Sequence, residues 1–332
     1  MHAWIVDRPG PIATDPLRRV ERADPLPGPG QVRVQVTCCG VCRTDLHLAE
    51  GDLPARRHGV TPGHEVVGRV DALGPGASRF APGQRIGVPW LGGTDGTCRY
   101  CRRGAENLCV APTFTGWDVD GGYADACLVD EAYAFALPEE VGDEQAAPLL
   151  CAGIIGYRAL LAADVPPGGR LGIYGFGGSA HLTAQVALHE GLRVHVLTRG
   201  AANQELARRL GVDSVGGPTD APPEQLDGAI LFAPAGELVP LALRALDRGG
   251  TLAVAGIWLS DVPALAYERE LFYERRLRSV TANTRADAEQ FLQLAARFGV
   301  RATTTPYPMA DADRALRDLA AGAFSGAAVL HN

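Results

Sequence analysis

The sequence predicts a two-domain α/β chain in which a partly open β-barrel precedes a doubly wound parallel sheet. Three observations carry this reading. The chain has 332 residues, enough for about two domains with a core each. Gly and Pro, 41 and 24 residues in all, crowd the first third, where short alternating segments sit between turns such as Pro27-Gly28-Pro29-Gly30, a β texture. From about residue 150 the pattern changes to short apolar strands alternating with helical stretches, which predicts a parallel sheet with crossover helices.

In order along the chain, Val32 to Thr37 places apolar residues at every second position, as a half-buried strand requires, and His64 to Val70 is a second such segment. Leu171 to Tyr174 opens the parallel sheet. A helix over Ser179 to Glu190 follows, stopped by Gly191 at the left-handed C′ position, and Leu192 to Leu197 is the next strand. Asp227 to Phe232 and Thr251 to Ala255 read as further strands around a helix at Leu238 to Leu246. Thr284 and Asp287 have capping-box spacing, so a helix starts there and stops at Gly299, returning the chain to the first domain. The predicted division is 1–148, completed by 286–332, and 149–285.

Composition excludes several classes of partner. Acidic residues outnumber basic ones, 38 against 31, and no basic stripe tracks a phosphate backbone, so no nucleic-acid partner is expected. Neither a run of about 18 apolar residues nor a signal-peptide pattern occurs, so a soluble cytoplasmic protein without membrane contact is expected. In that reducing compartment the eight cysteines are metal ligands or buried small residues rather than a disulfide framework.

Gly175-Phe176-Gly177-Gly178-Ser179-Ala180 matches G-x-G-x-x-G/A between a predicted strand and a predicted helix, the Rossmann context for a dinucleotide. The glycines permit a tight turn, and free N–H groups at the helix N-terminus meet the pyrophosphate. The following strand ends in Leu197-Thr198-Arg199, without the carboxylate that usually binds an NAD ribose. Arg199 would pair with a 2′-phosphate and Thr198 would donate to it, which favours NADP over NAD.

Two sets of residues have metal-ligand character. Cys98, Cys101 and Cys109 are closely spaced, since a Cys-x-x-Cys turn presents two thiolates to one tetrahedral ion, and Asp95 supplies a fourth donor. Cys42, His64 and Cys151 are dispersed. Three ligands with one open position is the arrangement of a catalytic zinc, but a single Cys is more often a buried small hydrophobe, and spacing alone leaves both readings open.

The surrounding residues decide. Gly40-Val41-Cys42-Arg43-Thr44-Asp45-Leu46-His47, Pro62-Gly63-His64-Glu65, the Cys98 to Cys109 lobe with Glu106-Asn107-Leu108, Leu150-Cys151-Ala152-Gly153 and the glycine loop resemble, in that order, the zinc-dependent alcohol dehydrogenases of the medium-chain dehydrogenase/reductase superfamily. The resemblance spans essentially the whole chain. It implies a GroES-like barrel with the Rossmann domain inserted. It also implies Cys42, His64 and Cys151 as catalytic zinc ligands, Glu65 as a carboxylate beside them and Asp45 as the group that holds the ligand His in one tautomer. Thr44 and His47 are implied as a proton relay, and Arg285 as a contact to the cofactor phosphates. Asp95 departs from the usual four lobe cysteines, and Ile155 from the Thr common four residues after the catalytic Cys.

The function expected is hydride transfer between a small alcohol or aldehyde and NAD(P), with zinc as Lewis acid and Trp90, Trp117 and Leu46 walling an apolar pocket. A reductase of a C=N or C=C bond on the same fold is the enzymatic alternative, and a non-catalytic nucleotide-binding sensor the alternative of another class. The resemblance further suggests a homodimer or homotetramer.

Overall fold

A computed structural model describes residues 1–54, 56–256 and 258–332. They divide into two compact units: Met1–Cys151 with Ala282–Ala296 and Ala302–Asn332, and Ala152–Thr281 with Arg297–Arg301.

The first unit opens with β1 (His2–Val6) and β2 (Leu17–Glu21), an antiparallel pair. Then come β3 (Gln31–Val41), α1 (Arg43–Glu50), β4 (Val66–Leu73) and β5 (Arg85–Val88). The short pair β6 (Leu91–Gly93) and β7 (Thr113–Phe114) precedes β8 (Ala126–Asp130) and β9 (Phe135–Ala136). After β9, α2 (Asp143–Pro148) runs through a π-helical turn at Leu149–Gly153 into α3 (Ile154–Ala163), where the second unit begins.

The second unit comprises β10 (Arg170–Tyr174), α4 (Gly178–His189), β11 (Arg193–Leu197), α5 (Ala201–Arg209), β12 (Ser214–Gly216), β13 (Leu226–Leu231), α6 (Leu238–Ala245), β14 (Leu246–Val254), α7 (Tyr267–Glu270) and β15 (Arg276–Ser279). Most of α8 (Arg285–Phe298) belongs to the first unit, as do β16 (Thr304–Pro308), α9 (Ala312–Ala321) and β17 (Ala327–His331).

In the first unit β3 organises the sheet β16-β17-β3-β4-β5-β9. Val32, Val34 and Val36 are buried while Gln35 and Thr37 face solvent, the alternation read from sequence. One edge of β3 pairs with β4, and the other is shared by β8 along Gln31–Gln35 and by β17 along Cys38–Val41. A strand with three partners and two breaks in register, at Arg33/Val34 and Val36/Cys38, bends its sheet into a barrel-like wall. The segment expected to start at His64 enters β4 only at Val66. The carbonyls of Pro62 and Gly63 instead accept from the N–H groups of Tyr123 and Gly122.

The second unit is a six-stranded sheet in the order β12-β11-β10-β13-β14-β15, every pair parallel. That is the doubly wound arrangement, with its reversal of strand order between β10 and β13. The helix after the glycine loop ends before Gly191, at φ +80°. At α8, Thr284 N–H donates to Asp287 Oδ2 at 2.7 Å while Asp287 N–H donates to Thr284 Oγ1 at 3.1 Å, the reciprocal box read from sequence. β15 was not legible, because all four of its residues are exposed and no alternation marks it. The run Asp143–Ala163 is long and apolar enough to cross a membrane on length and composition, yet 72% of its most apolar window is buried inside the protein, as in a core helix.

Arg170, at the start of β10, brackets the Asp227 carboxylate, with Nε on Oδ2 at 2.9 Å and Nη2 on Oδ1 at 2.7 Å, while its backbone N–H also meets Oδ2 at 2.7 Å. The guanidinium holds the Asp227 carboxyl below its ordinary pKa. The stabilisation is therefore present above the unfolded pKa of about 4 and is lost as pH falls through the lower folded value. Asp227→Asn is expected to cost about 2 kcal/mol at pH 7, and urea denaturation at pH 7 and at pH 3 should show the difference shrinking at the lower pH.

Candidate active site

The local sequence Cys42-Arg43-Thr44-Asp45 starts α1. Cys42 is the N-cap, and Asp45 Oδ2 reaches back to accept from the Cys42 N–H at 3.0 Å. The same buried carboxylate accepts from Gly63 N–H at 3.0 Å, from the Tyr123 hydroxyl at 3.2 Å and from His64 Nδ1 at 3.1 Å. Because a carboxylate only accepts, Nδ1 carries the hydrogen, and Nε2 of His64 is the ring atom left to give its lone pair to a metal in exchange for a proton. That Nε2 is fully buried and has no hydrogen-bond partner among the described residues.

Its neighbours are sulfurs and a carboxylate. Cys151, in the π-helical turn, places Sγ 4.0 Å from Cys42 Sγ. One donor atom each from Cys42, His64, Glu65 and Cys151 lies within 4.8 Å of the others. Glu65 is buried against Gly40, where a Cβ would run into the Glu65 carboxylate, so that position admits only glycine.

The electrostatics are those of a cation site. The hydrogen bond from Cys151, helped by His64, holds the Cys42 thiol well below its ordinary pKa, and the Cys151 thiol rises correspondingly. Burial disfavours a charge on His64, but Asp45 outweighs it and raises the imidazole well above its usual pKa. Burial, then the Cys42 thiolate, push Glu65 up. Two thiols, an imidazole and a carboxyl converging in a buried site are a soft donor set suited to zinc, and Nε2, without a partner among the described residues, is the atom a metal would take.

Thr44 Oγ1 lies 3.6 Å from Cys42 Sγ. His47 is one turn further on, partly exposed, with Nδ1 3.0 Å from Asp52 Oδ2. Trp90 meets the His64 ring edge-on with centroids 4.9 Å apart, and stacks with Phe114 at 4.8 Å and Trp117 at 5.9 Å. Phe114 was not identified from sequence, since its place beside Trp90 comes from the β6–β7 pairing. Leu46, expected in the same wall, is instead 3% exposed inside the barrel core. Trp4, Ala49 and Leu316 share that core, so Leu46 packs the barrel interior.

The second set also converges: donor atoms of Asp95, Cys98, Cys101 and Cys109 lie within 4.8 Å of one another. The N–H groups of Cys98 and Thr97 both donate to Asp95 Oδ1 at 2.9 Å, which holds this carboxyl below its ordinary pKa. Arg285, expected at the cofactor phosphates, is held by this lobe. Its N–H and Nε donate to Glu106 Oε1 at 3.0 and 3.1 Å, and its guanidinium lies 5.0 Å over the Tyr133 ring. A 7% exposed carboxylate gains more from that cation than a solvated arginine would lose.

In the second unit the glycine loop joins β10 to α4. Gly175 has φ +86° and its N–H bonds Leu197 O at 2.8 Å, while a Cβ there would press on the Ala233 backbone at 2.8 Å. Phe176 is buried. Gly177, the N-cap of α4, has no atom of the other described residues beyond its chain neighbours within 4 Å of a Cβ position, and Gly178 and Ser179 form the first turn. Open space over free N–H groups at a twelve-residue helix fits a bound pyrophosphate. Thr198 is buried just past β11, and Arg199 beside it is exposed.

A doubly wound dinucleotide-type sheet and a barrel carrying two thiols and an imidazole together define the architecture of a nicotinamide-dependent oxidoreductase. The family model of the alcohol dehydrogenase GroES-like domain matches residues 28–139. A probable alcohol dehydrogenase of Mycobacterium tuberculosis is 57% identical over 335 residues, covering 99% of this chain and 97% of that protein. A cinnamyl alcohol dehydrogenase of Sorghum bicolor superposes with a TM-score of 0.89 at 29% identity, covering 99% of this chain and 97% of its own. The cobalt- and zinc-bound thermostable alcohol dehydrogenase of Pyrobaculum aerophilum superposes with a TM-score of 0.89 at 26% identity, covering 100% and 99%. This chain belongs to the zinc-dependent alcohol dehydrogenase family of medium-chain dehydrogenases.

Asp45→Ala would leave the donors of Cys42, Gly63, His64 and Tyr123 without an acceptor. In chelator-treated protein it is expected to lower stability by about 3 kcal/mol, read from urea denaturation.

Proposed function

We propose that this enzyme interconverts small primary or secondary alcohols and their aldehydes or ketones, with a catalytic zinc ion and with NADP in preference to NAD. The observation that carries the reading is the buried, unpartnered Nε2 of His64 facing two thiols 4.0 Å apart. Cys42, His64 and Cys151 would hold the metal, with Glu65 beside it. When bound, zinc supplies Lewis acidity to a substrate oxygen and the nicotinamide exchanges hydride with its carbon.

The protein's own groups do the rest. Asp45 fixes the His64 tautomer. Trp90, Phe114 and Trp117 give the substrate an apolar wall and exclude water. The Thr44 hydroxyl accepts the alcohol proton as it gives its own onward toward His47, which holds it at the solvent side. N–H groups of the loop from Gly175 to Ser179 bind the pyrophosphate, while Thr198 and Arg199 receive the 2′-phosphate. Asp95, Cys98, Cys101 and Cys109 would hold a second, structural zinc. In this reading the barrel domain is 1–148 completed by 286–332, the cofactor domain is 149–285, and the enzyme works in the cytoplasm. It forms a homodimer or homotetramer through the cofactor domains, supported by the exposed edge strand β15 with Phe272, Tyr273 and Leu277 uncovered around it.

Protein purified without chelator is expected to carry about two zinc per chain by elemental analysis. Cys42→Ser should lose the aldehyde-dependent oxidation of NADPH, whereas Asp95→Ala should retain about one zinc together with turnover. Arg199→Ala should raise KM for NADPH about tenfold while leaving NADH nearly unchanged; equal effects on both would reverse the cofactor assignment.

Sedimentation velocity should give a dimer or tetramer, and Leu277→Arg, which puts a charge on the exposed strand, should shift it toward monomer. A wild-type monomer at micromolar concentration would rule out the assembly.

A further inference from the structure

Beyond α1 the chain doubles back. Gly51 ends the helix at φ +87°, its N–H bonding the carbonyls of His47 and Leu48, and the Leu53 N–H returns to His47 O at 3.0 Å. This turn carries Asp52 round until Oδ2 lies 3.0 Å from His47 Nδ1. The His47 side chain is 25% exposed and Asp52 64% exposed, so the pair touches solvent.

We propose that Asp52 is the positioning residue of His47. Accepting from Nδ1–H, the carboxylate fixes the tautomer in which Nε2 keeps its lone pair, and it balances the positive charge once Nε2 is protonated. The inference rests on the reading of His47 as the outer proton acceptor. In alcohol oxidation the substrate O–H bond breaks and its proton passes through the Thr44 hydroxyl to Nε2. The carbinol C–H pair leaves as hydride to the nicotinamide, and the imidazolium returns its proton to water.

Among the other charged groups around His47, Arg43 faces solvent and the carboxylates have partners of their own. On α1, Arg43 is exposed and Glu50 Oε1 accepts from Ile12 N–H at 3.1 Å. The turn Ile12–Thr14 and α9 pack against α1. Their Arg317 binds Asp15 and Asp313 at 2.6 and 2.8 Å, Arg314 binds Asp311 at 3.0 Å, and Asp318 accepts from the Tyr307 hydroxyl. Asp52 is the one carboxylate recorded on the imidazole among the described residues.

The test uses zinc-loaded enzyme labelled with ¹⁵N-histidine, in wild type, D52A, D52E, H47Q and the H47Q/D52A double variant. Wild-type His47 should show its neutral ring protonated at Nδ1, and D52A should move that proton to Nε2. D52A should lower kcat for alcohol oxidation about fivefold, the rate equivalent of an exposed ion pair, with KM for alcohol unchanged. D52E should recover most of the loss, and D52A should cost nothing further in the H47Q background. An unmoved ring proton in D52A, or the same fivefold loss in H47Q, overturns the assignment of Asp52. If H47Q itself turns over like wild type, the relay reading falls and the inference with it. That case is told apart because the ring proton still moves in D52A.

Discussion

The Asp45 carboxylate is the constraint on which the rest of the first unit depends. Burying an ionised carboxylate is costly unless every lone pair finds a donor. Here the donors come from the start of α1, the Gly63–His64 segment and the loop that ends at Tyr123. One acceptor thus ties together three stretches that are far apart in sequence, and orients the imidazole in the process. The glycines nearby follow from this convergence. A Cβ on Gly63, whose φ is +99°, would lie 2.5 Å from Tyr123 Cδ1 and 2.9 Å from Cys39 Sγ.

The two ligand clusters are supported in different ways. Cys42, His64 and Cys151 stand on α1, on the approach to β4 and on a π-helical turn, so their convergence requires the whole barrel to have folded. Asp95, Cys98, Cys101 and Cys109 lie within fifteen residues and are held by turns they make themselves, including the Asp95 N–H to Cys109 Sγ contact at 3.4 Å. What the lobe lacks in depth it gains from outside. Arg285 grips Glu106, and the Tyr133 ring beneath that guanidinium reaches Thr94 Oγ1 at 2.5 Å, bracing the lobe from α8 and from the turn after β8.

Much of this was legible in the sequence, for identifiable reasons. Strands of the parallel sheet show as apolar runs because both faces are covered, and the box at Thr284 and Asp287 is local enough to read three residues apart. The residues of the two converging clusters were visible through their motifs. Arg285, Leu46 and Phe114 were less so, because each depends on where a side chain points after tertiary folding. Arg285 is drawn to a buried carboxylate 179 positions away, and Leu46 is taken into the barrel core. β15 escaped because an edge strand need not alternate when neither face is covered.

The glycine loop supplies its own internal control. Gly175 is explained by the protein: its positive φ and the pressure of Ala233 on any Cβ exclude other residues whatever binds there. Gly177 has no such explanation. Its φ of −105° suits any residue, and among the described residues no atom beyond its own chain neighbours lies within 4 Å of where its Cβ would sit. A Ser, Asp or Asn at the N-cap of α4 would meet no clash and would cap the helix better than glycine does. A glycine at such a position is accounted for by what must approach the backbone from outside. A pyrophosphate seated on these N–H groups needs the space a Cβ would take.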